Sequence, residues 1–156
     1  MKRSHNARRC VLIVDDDRDT REMYSESLRV MGFEVMTSPS AEEALRLVAQ
    51  VAPAVLVTDL RLSGQMDGCE LARRLREDAR TRPTRIIMLT GAAFGAEREL
   101  AEASGCDRFL LKPCLPDALA SEIRRLAGAG AVLASDIGTP TRVDDSRTRR
   151  SVPRKI

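Results

Sequence analysis

The chain has 156 residues, of which 43% are hydrophobic and 31% charged, with a formal net charge of +3. These values are ordinary for one soluble globular domain. Only 3% of the residues are aromatic, so we expect a core of Leu, Val, Ile, Ala and Met. No apolar run approaches the roughly 20 residues that a membrane span needs, and the N-terminal segment does not fit a signal peptide. The composition therefore excludes a membrane protein and predicts a cytoplasmic one with no membrane partner.

Charge is distributed unevenly along the chain. Residues 1–9 hold four basic and no acidic residues, and residues 137–156 hold six basic and two acidic residues. Residues 10–136 hold 16 basic and 21 acidic residues, so the body of the chain is negatively charged. We predict a basic N-terminal extension over residues 1–9, a folded domain over 10–127 and a largely disordered basic tail over 128–156. The length leaves no room for a second domain.

Cysteine and histidine do not suggest a zinc site. No two of the four cysteines have zinc-type spacing, and the single histidine, His5, lies in the basic extension. We interpret the cysteines as reduced core residues.

Five short apolar runs alternate with five helical patterns. Strands are predicted over residues 10–14, 33–37, 54–58, 85–89 and 108–111. Helices are predicted over residues 19–31, 40–50, 68–78, 95–104 and 116–127. This alternation predicts an α/β fold, in which helices cover both faces of an open, doubly wound parallel sheet.

Residues near the ends of the predicted helices are of the types that commonly begin or end a helix. Ser40 followed by Glu43 is a capping-box pattern. Gly32 and Gly105 stand where helices should end, because glycine adopts the left-handed conformation at low cost. Pro116 suits the first turn of the last helix.

Polar side chains follow four of the predicted strands. They are Asp15, Asp16 and Asp17 after the first strand, Asp59 after the third, Thr90 and Gly91 at the end of the fourth, and Lys112 and Pro113 after the fifth. Ligands bind at the carboxyl ends of the strands in such sheets. Carboxylates without His or Cys favour Mg²⁺, and an aspartate can attack phosphorus to form an acyl phosphate. A metal ion, a lysine and a hydroxyl would stabilise the charge on a transferring phosphoryl group.

Each of these residues has a simpler explanation when it is taken alone. Asp17 or Asp19 can cap the helix that follows. A threonine or lysine at a strand end is usually solvated surface, and an aromatic such as Phe109 in a strand is usually core. The functional interpretation depends on all four groups falling at one edge of one sheet.

The chain resembles the receiver-domain family of two-component response regulators over about residues 10–127. The matching segments are residues 11–17, 55–60, 66–71, 87–91 and 109–113. The resemblance implies a flavodoxin-like (βα)5 fold, with a five-stranded parallel sheet in the strand order 2-1-3-4-5. It also implies a phosphoacceptor signalling protein that catalyses its own phosphorylation and dephosphorylation, and not a metabolic enzyme.

By this resemblance, Asp59 is the phosphoacceptor and the reaction depends on Mg²⁺. Asp16, Asp59 and the main-chain carbonyl of Arg61 would bind the metal directly, and Asp15 would contribute through a bound water. Arg61 and Ala92 stand at positions that tune dephosphorylation in the family. Arg61 is predicted to lengthen the life of the phosphoryl group.

The resemblance also implies how the signal is transmitted. Lys112 would pair with the phosphoryl group, and its bond to Pro113 would be cis. Thr90 would move to donate a hydrogen bond to a phosphoryl oxygen, and Phe109 would turn inward into the space that Thr90 leaves. These movements would change a partner-binding face made by helix four, strand five and helix five.

The sequence departs from the family pattern in two places. Ser63 stands where a proline is usual, and one residue is inserted within 63–65. The insertion follows Arg61, so we expect metal binding to survive it. Cys114 and Leu115 replace a common aromatic and a common polar cap, which predicts a looser start to the last helix.

The expected partners are a sensor histidine kinase or a histidine phosphotransfer protein, together with a downstream protein target; a homodimer is left open. A receiver that acts as an interaction module without phosphorylation is the main alternative. A phosphohydrolase of the haloacid dehalogenase type is disfavoured, because Asp19 stands where its Asp-x-Asp-x-Thr motif needs threonine. Nucleic-acid binding by the tail is also disfavoured, since its basic residues have no aromatics among them.

Overall fold

The computed structural model of the chain describes residues 10–91 and 95–128. The strands are β1 (Cys10–Val14), β2 (Glu34–Ser38), β3 (Val55–Thr58), β4 (Arg85–Thr90) and β5 (Arg108–Leu111). The helices are α1 (Arg18–Val30), α2 (Ala41–Val51), α3 (Gly68–Glu77), α4 (Gly95–Ala103) and α5 (Pro116–Ala127). The predicted N-terminal extension, Ala92 and the predicted tail beyond Gly128 lie outside the described residues.

The five strands form one parallel sheet in the order β2-β1-β3-β4-β5. The register aligns the carboxyl ends of the strands, because Val14 pairs with Thr58 and Thr90 pairs with Leu111. The strands β1 and β3 are buried throughout, and β4 is buried after its first residue, as their continuous apolar runs predict. The predicted doubly wound fold and its strand order are confirmed.

Apolar side chains form one core cluster on each face of the sheet. Leu12 and Val14 of β1 pack with residues of α2, α3 and α4. Val11 and Ile13 pack with residues of α1 and α5. Successive residues of a strand point to opposite faces, so each face of β1 supplies its own cluster. No helix within the described part of the chain has both the length and the apolar character needed to cross a bilayer.

The end of α1 explains why β2 begins later than predicted. Gly32 has a φ of 94°, and its N–H donates to the carbonyl of Arg29 at 2.9 Å. The N–H of Phe33 donates to the carbonyl of Leu28 at 3.0 Å, which completes a Schellman motif. Because the helix end uses this N–H, the sheet ladder starts at Glu34. The other predicted bounds differ from the observed ones by at most one residue.

Aspartates cap α1 and α3, the helices that follow β1 and β3. Asp17 accepts from the N–H of Thr20 at 3.0 Å at the start of α1, and Asp67 accepts from the N–H of Glu70 at 2.8 Å at the start of α3. Hydrogen bonds from the side chain and the backbone of Thr20 lower the pKa of Asp17. Of the two candidates that the sequence offered, Asp17 is therefore the cap, and Asp19 lies in the first turn of α1.

The predicted capping box of α2 is half formed. Oγ of Ser40 accepts from the N–H of Glu43 at 3.2 Å. The return bond differs, because the N–H of Ser40 donates to the hydroxyl oxygen of Ser38 at 3.3 Å. Ser38 is the buried last residue of β2, and its hydroxyl makes the bond that was expected of the Glu43 carboxylate.

Gly68 fixes the start of α3 against the end of β3. Its N–H donates to the carbonyl of Leu60 at 2.9 Å. A Cβ atom on Gly68 would lie 2.2 Å from the carbonyl oxygen of Asp59, which is far inside van der Waals contact. A side chain at position 68 would therefore displace the backbone of the residue that follows β3.

We expect Gly68→Ala to lower the free energy of unfolding by about 1–3 kcal/mol, because a rigid backbone atom blocks the added methyl group. Urea denaturation measures this change. Gly95→Ala is the matched control: it adds the same methyl group to the first residue of α4, where a Cβ meets no atom within 4 Å. Equal stability of Gly68→Ala and the wild type would contradict the steric argument.

All four cysteines lie in the described residues and are free thiols. Cys10 and Cys69 are buried, and Cys106 and Cys114 are partly buried. Burial, and to a lesser extent the nearby Cys69, raises the pKa of Cys106 from 9.0 to about 11.

This shift predicts low reactivity of Cys106. A pKa two units higher leaves about a hundredfold less thiolate below pH 9. Iodoacetamide at pH 8.5 should therefore alkylate Cys106 about a hundredfold more slowly in the folded protein than in concentrated urea, as followed by peptide mass spectrometry. Similar rates in the two states would show that burial does not protect this thiol.

Candidate functional site

The groups predicted at the strand ends come together through Lys112. Its Nζ donates to Oδ2 of Asp15 at 2.8 Å and to Oδ2 of Asp59 at 2.9 Å. Its backbone N–H donates to the carbonyl of Thr90 at 2.9 Å. One lysine therefore contacts the ends of β1, β3 and β4. Charge-assisted bonds of this kind are stronger than bonds between neutral groups.

Asp15 is buried, and both of its carboxylate oxygens accept hydrogen bonds. It is 5% exposed, and its second carboxylate oxygen accepts from the N–H of Asp17 at 2.9 Å. Its carbonyl accepts from Nη1 of Arg21 at 2.7 Å. Both carboxylate oxygens thus have protein donors, which suits a residue predicted to act through a water and not by direct metal ligation.

Hydrogen bonds fix the backbone of Asp59 and one oxygen of its carboxylate. Its N–H donates to the carbonyl of Val14 at 3.1 Å, and its carbonyl accepts from the hydroxyl of Thr58 at 2.9 Å. Oδ1 accepts from the N–H of Arg61 at 3.2 Å. The side chain is 15% exposed, so its carboxylate remains open to a small ligand.

The inserted loop contacts two acidic side chains. The N–H of Ser63 donates to Oδ2 of Asp16 at 2.9 Å, and the N–H of Met66 donates to Oε1 of Glu42 at 3.2 Å. Gly64 has a φ of 113°, a conformation that favours glycine. The extra residue is therefore absorbed in a turn that is anchored at both ends. One carboxylate oxygen of Asp16 is occupied as a result, which the sequence did not predict.

The two residues predicted to transmit a signal lie on neighbouring strands. Thr90 is 2% exposed at the end of β4. Phe109 of β5 is partly buried and packs against the core cluster that α2, α3 and α4 cover. The guanidinium carbon of Arg98, in α4, lies 5.9 Å from the centroid of the Phe109 ring, within the range of a cation–π contact.

Two further contacts at the site were not predicted. Arg61 forms an ion pair with Glu97 of α4, 36 residues away in the chain. The hydroxyl of Tyr24 donates to the carbonyl of Cys114 at 2.7 Å, which joins α1 to the loop after β5. No local pattern marks such pairs, because their partners meet only through the packing of the helices on the sheet.

In the segment after β5, one feature follows the family pattern and another reflects the departure from it at Leu115. The Lys112–Pro113 bond is cis. Leu115 occupies the N-cap position of α5 and makes no side-chain cap hydrogen bond, and Pro116 begins the helix. Leu115 is 74% exposed, so its side chain stabilises neither the helix start nor the core.

The electrostatics of the site centre on Lys112. Burial alone lowers the pKa of its ammonium group, but hydrogen bonds and charges from Asp15 and Asp59 outweigh burial, so the pKa lies above its ordinary value of 10.5. A raised pKa in the folded state means that this group stabilises the fold at neutral pH. That contribution is lost as the pH rises above about 10.5 through the folded-state value.

The donor atoms suit a hard cation that keeps several waters. Within residues 10–91 and 95–128, no group of three or more His, Cys, Asp or Glu side chains forms a metal cluster. Asp16 and Asp59 are hard oxygen donors at the carboxyl edge, and Asp16 keeps one carboxylate oxygen that Ser63 does not use. Mg²⁺ binds through one or two carboxylates and retains waters, so this set fits it without a third side chain.

The sequence matches a family model described as the response regulator receiver domain over residues 11–124. The chain belongs to this family of proteins.

Curated relatives show the same similarity. The chain is 34% identical over 130 residues to response regulator Rre1 of Synechocystis sp., covering 83% of this chain and 55% of that protein. It is 36% identical over 116 residues to response regulator MprA of Mycobacterium leprae, covering 74% of this chain and 50% of that protein. The chain thus spans about half the length of these two relatives.

Solved structures agree with the fold. Chemotaxis protein CheY4 of Vibrio cholerae has a TM-score of 0.70 and 30% identity, covering 75% of this chain and 97% of that one. A CheY-like receiver domain protein of Methanospirillum hungatei has a TM-score of 0.70 and 28% identity, covering 76% and 93%.

Lys112→Met should leave the carboxylates of Asp15 and Asp59 without their shared cation. We expect the free energy of unfolding at pH 7 in EDTA to fall by about 1–3 kcal/mol, because two partly buried charges lose their compensation. Urea denaturation measures this loss. Adding Asp15→Asn should restore part of it by removing one of the two charges. A Lys112→Met variant as stable as the wild type would show that the bridge contributes nothing to the fold.

Proposed function

We propose that the chain is a phosphorylation switch that accepts a phosphoryl group on Asp59. The observation that carries the proposal is the Lys112 ammonium, which bonds Asp59 and Asp15 at 2.9 and 2.8 Å. A cation in this position can stabilise negative charge that develops on a phosphoryl group attached to Asp59.

The phosphoryl donor in this proposal is a phosphohistidine of a sensor histidine kinase or of a histidine phosphotransfer protein. A carboxylate oxygen of Asp59 forms a bond to phosphorus, while the bond between phosphorus and the donor's imidazole nitrogen breaks. The imidazole then recovers a proton from water. Asp59 is suited to this role because its carboxylate remains partly exposed while its backbone is fixed.

The metal in this proposal is Mg²⁺, held by Asp16, Asp59 and the main-chain carbonyl of Arg61. When bound, it supplies positive charge beside the transferring phosphoryl oxygens. Asp15 orients this arrangement through its bonds to Lys112 and to the N–H of Asp17.

The output in this proposal is a change in the face formed by α4, β5 and α5. The Thr90 hydroxyl would donate to a phosphoryl oxygen, and Phe109, now partly buried, would turn further inward. Three large apolar side chains are exposed in these elements and the loop that joins them: Leu100 at 63%, Leu111 at 49% and Leu115 at 74%. They suit a downstream protein target, and the same face is open to a second copy of the chain.

A receiver that binds its partner without phosphorylation is the second candidate. The hydrogen bond from Ser63 to Asp16 favours it, because the inserted loop occupies an oxygen of a proposed metal ligand.

The decisive measurement is the intact mass of the full chain after incubation with acetyl phosphate and Mg²⁺. We expect one phosphoryl adduct on the wild type, none on Asp59→Asn, and none on the wild type in EDTA. An adduct on Asp59→Asn would move the acceptor to another residue. A folded wild-type protein that takes no adduct from acetyl phosphate or from a phosphohistidine donor would favour the second candidate.

A further inference from the structure

Two neighbouring residues of α4 tie this helix to the phosphoacceptor loop and to β5. Glu97 pairs with Arg61, two residues after Asp59. Arg98 lies over the ring of Phe109. The helix is thus connected through side chains both to the site and to the aromatic residue proposed to move.

These side-chain contacts matter because α4 is weakly packed. Of its nine residues, Ala101 is the buried one. A cavity of about 280 Å³ lies among α4, α3 and the loop after β3, and Leu60, Cys69 and Leu100 are among the residues that line it. Arg61 and Glu97 also line this cavity, so their ion pair joins the loop to a helix that buries one of its own residues.

The two partners of the ion pair have unequal surroundings. The side chain of Glu97 is 17% exposed, and that of Arg61 is 72% exposed. Oε2 of Glu97 is buried and has no hydrogen-bond partner among the described residues. A buried carboxylate is costly without a compensating cation, whereas a guanidinium in water can change partner at little cost.

Arg61 contacts both Glu97 and Asp59. Its guanidinium pairs with Glu97 of α4. Its backbone N–H already donates to Oδ1 of Asp59. Its side chain therefore starts close to the group that would carry the phosphoryl charge.

We propose that phosphorylation of Asp59 transfers the Arg61 guanidinium from Glu97 to the phosphoryl group, and that this exchange releases α4 from the loop. A phosphoryl group brings about two negative charges and three acceptor oxygens, and a guanidinium binds such a group in bidentate fashion. The inference rests on the proposed function and adds to it a regulatory role for Glu97.

Glu97 is a positioning residue in this scheme. It holds Arg61 while Asp59 is unmodified, and it competes with the phosphoryl group for Arg61 afterwards. Once Arg61 leaves, the Glu97 carboxylate must turn toward water, and α4 moves with it. Because Arg98 follows directly in the chain, the same movement weakens its contact with Phe109 and so favours the inward position of that ring.

The test compares the full-length wild type with Arg61→Ala, Glu97→Gln and the double variant. Glu99→Gln is the matched control, because it removes the same charge from an exposed residue of the same helix. Hydrogen–deuterium exchange of residues 95–103 is measured with and without acetyl phosphate and Mg²⁺. Loss of the phosphoryl group is followed by intact mass after the donor is removed.

Phosphorylation of the wild type and of Glu99→Gln should raise exchange in α4 by about threefold or more. Arg61→Ala and Glu97→Gln should show raised exchange before phosphorylation and little further change. Arg61→Ala should lose its phosphoryl group several-fold faster than the wild type, and Glu97→Gln more slowly. The double variant should lose it at the rate of Arg61→Ala, because Glu97 acts through Arg61.

Three results would overturn the inference while leaving the proposed function intact. They are a wild-type adduct with unchanged exchange in α4, a Glu99→Gln variant that behaves like Glu97→Gln, and a Glu97→Gln effect on phosphoryl loss that persists without Arg61. Failure of the wild type to form any adduct would instead overturn the proposed function, and the inference with it.

Discussion

The structure at the carboxyl edge depends on a single cation shared by two carboxylates. Asp15 and Asp59 follow neighbouring strands, so the parallel register brings two like charges to one place, and the Lys112 ammonium lies between them at hydrogen-bonding distance. The cost of gathering acidic groups in a partly buried position is thereby offset within the protein itself. The backbone bond from Lys112 to Thr90 fixes the lysine relative to β4, so the geometry of the sheet sets the electrostatics of the site.

The residues around the Lys112 contacts with Asp15 and Asp59 are held more firmly on the β1 side than on the α4 side. On the β1 side, both carboxylate oxygens of Asp15 and its carbonyl have donors, so the groups there have little freedom. On the α4 side, Arg61 is largely in water and pairs with a helix that buries one residue. The proposed switch would use both sides, a rigid one to hold Asp59 and an adaptable one to change partner. The firmly held groups and the exposed ion pair lie in different parts of the same edge.

Much of the fold could be predicted because its signals are local. The buried strands are continuous apolar runs, and Gly32, Gly105 and Pro116 mark helix boundaries where the structure has them. The residues at the strand ends could be placed together, since strand topology alone brings them to one edge. The remaining features depend on distances that sequence spacing does not encode. Ser38 takes the place of Glu43 in half of a capping box, and the N–H of Ser63, in the loop with the insertion, bonds Asp16. Glu97 could not be assigned to Arg61, because the two residues are 36 positions apart and meet only in the folded chain.

The anchoring of the inserted loop has a practical consequence for labelling the protein. Its base is closed on one side by Gly68, which touches the backbone after β3, and on the other by the bond from Ser63 to Asp16. Between these points, Met66 is buried and its N–H donates to Glu42. Gly64 needs its positive φ, but Gln65 is exposed beside it. A fluorophore attached at residue 65 would sit within a few residues of Asp59 and would report on that environment without replacing any group that holds the edge together.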